Sequence, residues 1–167
     1  MFCDTLTKNS CMPKQRDRYQ VSLKALVTNS NGEVLALNAL PSGSFAGYFD
    51  LPGGRIDVKE FSTPLIDVLR RELKEEIGDV EVEIGEAPVA VGRHLIGAES
   101  DKSEGESIHV LYLFFEVKYL GGNLKISNEH AGFRWLDLTK HKLPDLFKSG
   151  LLEGVVMYSK IRLARTA

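Results

Sequence analysis

The sequence predicts an α/β protein in which helices flank a mixed β-sheet. Several runs of apolar or alternating residues are typical of β-strands, and one apolar stripe with a four-residue spacing is typical of a helix. These elements follow one another as strands, helix, strands, helix, an order that favours a sheet covered by helices. The length of 167 residues suits one domain with a single sizeable core.

The first strands are predicted from Tyr19 onward. The run YQVSLKALVTN (19–29) is followed by the turn sequence SNGE and then by VLALNAL (34–40), which together predict a β-hairpin. A loop at 41–47 and a short strand, YFDLP (48–52), then lead into two consecutive glycines.

A helix is predicted to begin near Thr63, whose hydroxyl can cap it, with Pro64 at the first helical position. Gly78 is a suitable helix stop. The apolar stripe of this helix consists of Leu65, Leu69, Leu73 and Ile77.

The second half of the chain returns to strands and then closes with helix. VEVEIGEAPVAVGRHLIG (80–97) predicts one or two strands, and residues 98–107 predict an acidic surface loop. IHVLYLFFEVKYL (108–120) is the most strand-like run, and a GGN turn separates it from the strand FRWLDL (133–138). Residues 143–165 predict a closing helical region.

Composition excludes several classes of protein. A net charge of −2 argues against nonspecific binding to a nucleic acid polymer or an anionic membrane. The polar residues 1–18 predict a flexible N-terminal arm before a single domain at 19–167, and they lack the apolar core of a signal peptide. Cys3 and Cys11 lie in this arm and fit neither a disulfide framework nor a zinc site. We therefore expect a cytoplasmic protein.

Three glutamates of the predicted helix lie beside its apolar stripe. On an ideal helix of about 100° per residue, with the first leucine of the stripe at 0°, Glu76 lies at about 20°, Glu72 at about −20° and Glu75 at about −80°. The first of these positions is inside the stripe, and the other two follow one border of it. Three charged residues occupy the solvent side instead: Asp67, Arg70 and Lys74.

Carboxylates at the border of a core are costly unless they are paired. Ion pairs on a solvated helix are the simpler reading, because Asp67–Arg71 and Arg71–Glu75 are favourable pairs four residues apart. That reading leaves Glu72 and Glu76 repelling each other where water is scarce. A bound dication removes both difficulties, since Mg²⁺ takes carboxylate oxygens and bridges to substrate phosphates. The border therefore predicts a metal site, and Gly53 and Gly54 let backbone groups approach a phosphate or metal closely.

The segment from Gly54 to Asp79 resembles the Nudix box, in which a glycine, five residues, a glutamate and seven further residues precede an Arg-Glu-apolar-x-Glu-Glu-x-Gly-apolar run. Gly54 and Glu60 fit the first part, and RELKEEIG (71–78) fits the second. The resemblance implies a Nudix-type α/β/α sandwich. Two departures are present: ten residues rather than seven separate Glu60 from Arg71, and Asp79 holds the last apolar position. The three-residue insertion puts the role of Glu60 in question more than the roles of the helical glutamates.

The resemblance implies a pyrophosphohydrolase that acts on phosphorus-containing acid anhydrides. Water would attack phosphorus in a nucleoside diphosphate linked to another group, with Mg²⁺ or Mn²⁺ as cofactor. Glu75, Glu76 and the Gly53 carbonyl would be metal ligands, Glu72 a further ligand or the base, and Arg71 the group that orients these carboxylates.

Other residues are candidates with competing explanations. Family members often add an acid from a later loop, and Glu129 is the candidate here, although it could equally be an exposed loop acid. Glu104 and Glu106 are alternatives for that acid. Arg55, together with Gly54, could contact a substrate phosphate. Core packing is the simpler explanation for the aromatic residues Tyr48, Phe49 and Trp135, and the four histidines show no metal-like spacing.

Two other functions compete with hydrolysis. A Nudix-fold module that binds a nucleotide without cleaving it normally lacks box glutamates or carries a DNA-binding domain, and this chain keeps the glutamates. An isopentenyl diphosphate isomerase-like activity needs a core cysteine, whereas both cysteines lie in the arm. The particular nucleoside diphosphate derivative is left open, as is the oligomeric state, although homodimers are common in the family.

Overall fold

A computed structural model describes residues 16–42, 45–100, 103 and 105–166. The predictions for Cys3, Cys11, Glu104 and most of the arm lie outside these residues. The described residues contain six strands: β1 (Tyr19–Thr28), β2 (Val34–Ala39), β3 (Phe49–Asp50), β4 (Val80–Ile96), β5 (Ile108–Gly122) and β6 (His130–Leu136). The helices are α1 (Leu65–Ile77), α2 (Leu143–Leu146) and α3 (Ser149–Thr166), with a short 3₁₀ turn at Val58–Glu60.

The strands form one mixed sheet in the order β3-β2-β1-β5-β4, and β6 also pairs with β2. β1 runs parallel to β5, whereas its pairing with β2 is antiparallel, as predicted for the hairpin. β4 and β5 form a long antiparallel pair with register shifts. The sheet predicted from strand order is therefore confirmed, and 80–96 is one strand rather than two.

Helices cover both faces of the sheet because the strand residues alternate in direction. Leu23, Ala25 and Val27 of β1 pack with the buried face of α1. Leu26, between them, belongs to a second cluster that includes Phe114 and the α2–α3 region. The predicted α/β/α sandwich is confirmed. None of the helices in the described ranges has the length and apolar character needed to span a membrane.

Three local predictions were wrong. The Thr63 hydroxyl does not cap α1: Pro64 is the N-cap residue and makes no side-chain cap bond, while its carbonyl accepts from Asp67 and Val68. Leu65 is 39% exposed, so the buried stripe begins one turn later and includes Val68. The two glycines of the predicted GGN turn extend β5 and pair with the start of β4. Gly78 ends α1 with a positive φ of 88°, as predicted.

α3 packs against β4 through direct contact between their backbones. A Cβ atom on Gly92 would overlap the carbonyl oxygen of Gly150, and one on Gly150 would lie 2.5 Å from the Arg93 carbonyl oxygen. Both positions therefore need glycine for space rather than for backbone conformation. This contact fixes the distance between the helix and the edge strand.

We expect Gly92→Ala to lower the free energy of unfolding by about 1–3 kcal/mol, because neither backbone can yield easily to the added methyl group. Gly85→Ala in the same strand is the comparator, since its Cβ would lie 3.3 Å from the nearest atom. Urea unfolding of both variants measures the difference. Equal stability of Gly92→Ala and the parent would contradict the proposed close contact.

Candidate active site

The two glycines lie on a segment that runs alongside the first half of β1. Backbone amides of Leu23 and Ala25 donate to the carbonyls of Gly54 and Pro52, each at 2.8 Å. Gly53 has a φ of +125°, and a Cβ atom there would overlap the Leu23 carbonyl oxygen. Only glycine therefore allows the chain to pass this close to β1.

Glu76 is buried, as its predicted position inside the apolar stripe required. Its Oε2 accepts a hydrogen bond from the Gly53 amide at 2.7 Å. Its Oε1 lies 3.3 Å from Nε2 of His130, at the start of β6. The carboxylate therefore links α1, the glycine segment and β6.

Glu72 is half-buried and faces Gly54. A Cβ atom on Gly54 would lie 2.5 Å from the Glu72 carboxyl carbon, so a glycine is required for this approach. The Arg71 Nη2 donates to Glu72 Oε1 at 2.9 Å. Burial raises the pKa of Glu72, with the charges of Glu76 and Glu75 acting in the same direction and Arg71 opposing them.

Arg71 connects three carboxylates. It binds Glu60 through two hydrogen bonds of 2.7 and 3.0 Å and Glu75 through one of 3.0 Å, in addition to Glu72. The bond to Glu60, ahead of the neighbouring charges, raises the pKa of the arginine and lowers that of Glu60. Glu60 therefore reaches Arg71 in spite of the three-residue insertion.

Glu60 is held in place by its own short turn. Asp57 and Glu60 form a capping box, in which each side chain accepts from the other's backbone amide. The residues after this turn include Phe61, whose side chain is 92% exposed. The insertion extends into solvent and leaves the Glu60–Arg71 contact intact.

Glu75 lies farther out than the other two helical glutamates. Its side chain is 57% exposed and pairs with Arg71. The solvent-facing placement predicted for the charged residues on the other side of α1 is confirmed. The exposed fraction of the side chain increases from Glu76 to Glu75, as does the predicted angle between each residue and the middle of the apolar stripe.

The sequence did not lead us to predict Lys24 as a residue of this site. Its side chain is buried in β1, and Nζ donates to Asp50 Oδ1 at 2.7 Å, to the Leu51 carbonyl at 2.9 Å and to the Gly53 carbonyl at 3.1 Å. Burial by itself lowers the pKa of Lys24, but the charges of Asp50 and Glu76 outweigh it and the pKa is raised. A lysine inside the apolar run VSLKALV was the available signal, because buried lysines are rare unless paired.

These groups line a cavity of about 580 Å³. Its polar lining includes Glu72, Glu76, Gly53 and Gly54 together with Lys24 and Asp50, and the rest of its lining includes Phe45, His94, Ile96, Val110 and Tyr112. The predicted Arg55 and Glu129 also line this cavity. Arg55 is exposed and donates to Gln20 Oε1 at 2.7 Å, and Glu129 is exposed beside His130.

The aromatic residues singled out in the sequence pack as expected. Trp135 packs against one core cluster and contacts the Tyr119 ring, and Phe49 packs against the other and contacts Phe147. Tyr48 is the exception, since it belongs to neither cluster and lies under Lys148 Nζ. The rings that line the cavity are different ones. His94 stacks on Tyr112, with centroids 6.1 Å apart, and also contacts Phe45. Nothing in the spacing of these three residues identified them, because they come from separate strands and a loop.

The carboxylates of the three helical glutamates accept hydrogen bonds from protein groups. Across the described ranges, no three acidic, histidine or cysteine side chains converge closely enough to coordinate one ion as they stand. Arg71 holds Glu72 and Glu75, whereas Gly53 holds Glu76. The oxygen that was predicted as a backbone ligand, the Gly53 carbonyl, accepts from Lys24.

Comparison with known proteins agrees with this fold. The model of the NUDIX domain family matches residues 18–152. Nucleoside triphosphatase NudI from Escherichia fergusonii is 27% identical over 121 residues, which cover 71% of this chain and 84% of that protein.

Two solved structures show the same fold at low sequence identity. The MutT protein from Methanosarcina mazei Go1 superposes with a TM-score of 0.66 at 22% identity, covering 92% of this chain and 100% of that one. The NUDIX domain of Shewanella oneidensis NrtR, complexed with ADP ribose, superposes with a TM-score of 0.60 at 15% identity, covering 92% and 94%. Because the family model spans most of the sequence, the chain belongs to the Nudix hydrolase family and is a pyrophosphohydrolase.

Proposed function

We propose that the protein hydrolyses the diphosphate linkage of a nucleoside diphosphate derivative in a reaction that depends on Mg²⁺ or Mn²⁺. The observation that carries this proposal is the convergence of Glu72, Glu76 and the two glycines on one cavity wall. Nudix membership supports the diphosphate linkage, and the ADP-ribose complex of the NrtR domain supports a nucleotide-derived substrate. The exact derivative is left open.

The donor chemistry fits a hard dication. Glu72 and Glu76 offer carboxylate oxygens, the ligand type that Mg²⁺ and Mn²⁺ prefer, in the lining of a cavity large enough for a substrate, and Glu75 precedes Glu76 on the same helix. Burial and mutual repulsion already disfavour the charged form of Glu72. A dication would relieve that repulsion, stabilise charge on the diphosphate and acidify bound water. We assign Glu72, Glu75 and Glu76 as its ligands, and the Gly53 carbonyl stays a predicted one.

The other residues of the chain orient these groups and contact the substrate. Arg71 would hold Glu72 and Glu75 through its fork of donors, and Arg55 and Gly54 would contact a phosphate at the mouth of the cavity. Glu129 lies on the same cavity and is a candidate base alongside Glu72. A cytoplasmic location and a homodimer stay predictions.

A binding module that does not cleave its ligand is the alternative function. The NrtR domain shares the fold and was solved with ADP ribose, so nucleotide binding alone is compatible with this architecture. The presence of all three helical glutamates favours hydrolysis. Product release separates the two cases.

The first test is a panel of nucleoside diphosphate derivatives assayed with Mg²⁺, Mn²⁺ or EDTA. We expect turnover of at least one compound with either metal and none in EDTA. The carboxylates and the diphosphate are both negatively charged, so a cation is needed to stabilise the charge on the diphosphate. Chromatography of the products measures it. Ligand binding without any product after hours would support the binding module, and full activity in EDTA would refute the metal mechanism.

The second test concerns Glu76→Gln. The amide oxygen can still accept from the Gly53 amide, so we expect stability in EDTA within about 1 kcal/mol of the parent. Loss of the ligand charge should lower kcat/KM more than about 100-fold with Mg²⁺. The matched control is Glu81→Gln, at an exposed position of β4, which should leave both quantities unchanged. Retained turnover together with lost stability would instead indicate a structural role for Glu76.

The third test compares Glu72→Gln with Glu129→Gln. A base should contribute about 10²–10⁴-fold to kcat without contributing to metal affinity. We expect Glu72→Gln to weaken Mn²⁺ binding, measured by electron paramagnetic resonance, because Glu72 is assigned as a ligand. Glu129→Gln should lower kcat and leave Mn²⁺ affinity unchanged. An unchanged kcat in Glu129→Gln would remove Glu129 from the reaction and leave Glu72 as the candidate base.

A further inference from the structure

We propose that Lys24 is a positioning residue of the active site, whose buried ammonium holds the turn from Asp50 to Gly53 so that the Gly53 amide points at Glu76. This inference rests on the proposed function, because it concerns how the carboxylate that we assign to the metal is held. Lys24 lines the same cavity as Glu76 and lies on β1, the central strand of the sheet.

The hydrogen bonds of Lys24 determine what it can do. A lysine ammonium has three N–H donors and no acceptor. All three have partners: the Asp50 carboxylate and the carbonyls of Leu51 and Gly53. No donor is left for a substrate phosphate, although the residue lines a cavity that suits an anionic ligand. Lys24 therefore acts on the turn rather than directly on the substrate.

Gly53 transmits the position of Lys24 to Glu76. Its carbonyl accepts from Lys24 Nζ and its own amide donates to Glu76 Oε2 at 2.7 Å. Hydrogen bonds from the amides of Leu23 and Ala25 hold the residues on either side of Gly53. With both peptide groups of this glycine fixed, the direction of its N–H bond is fixed as well.

The free energy of burying the Lys24–Asp50 ion pair indicates that folding does not require this pair. Burying an ammonium and a carboxylate costs free energy that their attraction only partly offsets, and replacement by apolar or neutral groups is often neutral or stabilising. Leu26, the next residue of β1 on the same face as Lys24, is fully buried and apolar. An apolar residue would thus suit this position, and the pair is explained by its effect on the turn.

The test is the double variant Lys24→Met/Asp50→Asn, which removes both charges. The side-chain oxygen that remains at position 50 can still accept from the Leu51 amide, as Asp50 Oδ1 does in the parent. In the metal-free protein we expect the Gly53 amide to lose its hydrogen-exchange protection, measured by NMR. With metal, we expect Mn²⁺ affinity and kcat to fall about 10–100-fold, as is usual when a residue supporting a ligand is removed. KM should change little, because Lys24 has no donor for the substrate.

The matched control is Lys140→Met/Asp137→Asn, the same pair of substitutions at an ion pair of 3.1 Å whose lysine is exposed and whose aspartate is half-buried. It should leave exchange at Gly53, Mn²⁺ affinity and kcat unchanged. A second variant, Lys24→Gln/Asp50→Asn, keeps a neutral donor group at position 24. It should show smaller losses of exchange protection and Mn²⁺ affinity than the methionine variant.

Several outcomes would overturn the inference. A rise in KM with unchanged Mn²⁺ affinity would make Lys24 a substrate contact, and unchanged exchange at Gly53 would remove its effect on the turn. Failure of both Lys24 variants to fold would show that the pair is structural. Failure of the proposed function is recognised separately, because the parent protein would then bind no Mn²⁺ or release no product, whereas Gly53 exchange needs neither.

Discussion

The hydrogen bond between the Gly53 amide and the Glu76 carboxylate is the contact on which the candidate active site depends. It crosses from a helix on one face of the sheet to a segment paired with the central strand. A carboxylate at this depth is tolerated because the amide satisfies one of its oxygens. Once Glu76 is fixed, helical geometry places Glu72 one turn earlier, against Gly54 and facing the same cavity.

Helical periodicity carried most of what could be predicted about this site. The angle of Glu76 relative to the apolar stripe anticipated its burial, and the larger angle of Glu75 anticipated its exposure. Strand order and the turn sequences were sufficient for the sheet and its flanking helices. The capping signal failed at Thr63 because α1 begins one residue later than predicted, so that Pro64 is the N-cap residue and its carbonyl is the first acceptor of the helix.

Contacts between distant segments were not accessible from spacing. His130 joins Glu76 only because β6 pairs with β2, and Tyr112 meets His94 only because β5 pairs with β4. Lys24 lies inside an apolar run of the sequence, but the sequence does not show which groups accept its hydrogen bonds. Those acceptors, including two backbone carbonyls, belong to a turn that follows 26 or more residues later.

The short turn that presents Glu60 to Arg71 has a consequence for how the chain tolerates changes in length. The ion pair closes a loop between the 3₁₀ turn and α1, and the extra residues lie within that loop. Loop-closure entropy grows only logarithmically with length, so three additional residues cost a few tenths of a kcal/mol by an order-of-magnitude estimate. An arginine–carboxylate pair with two hydrogen bonds outweighs that cost. A change of length in this loop therefore costs little stability, and the exposed sequence there can vary while the Glu60–Arg71 contact is kept.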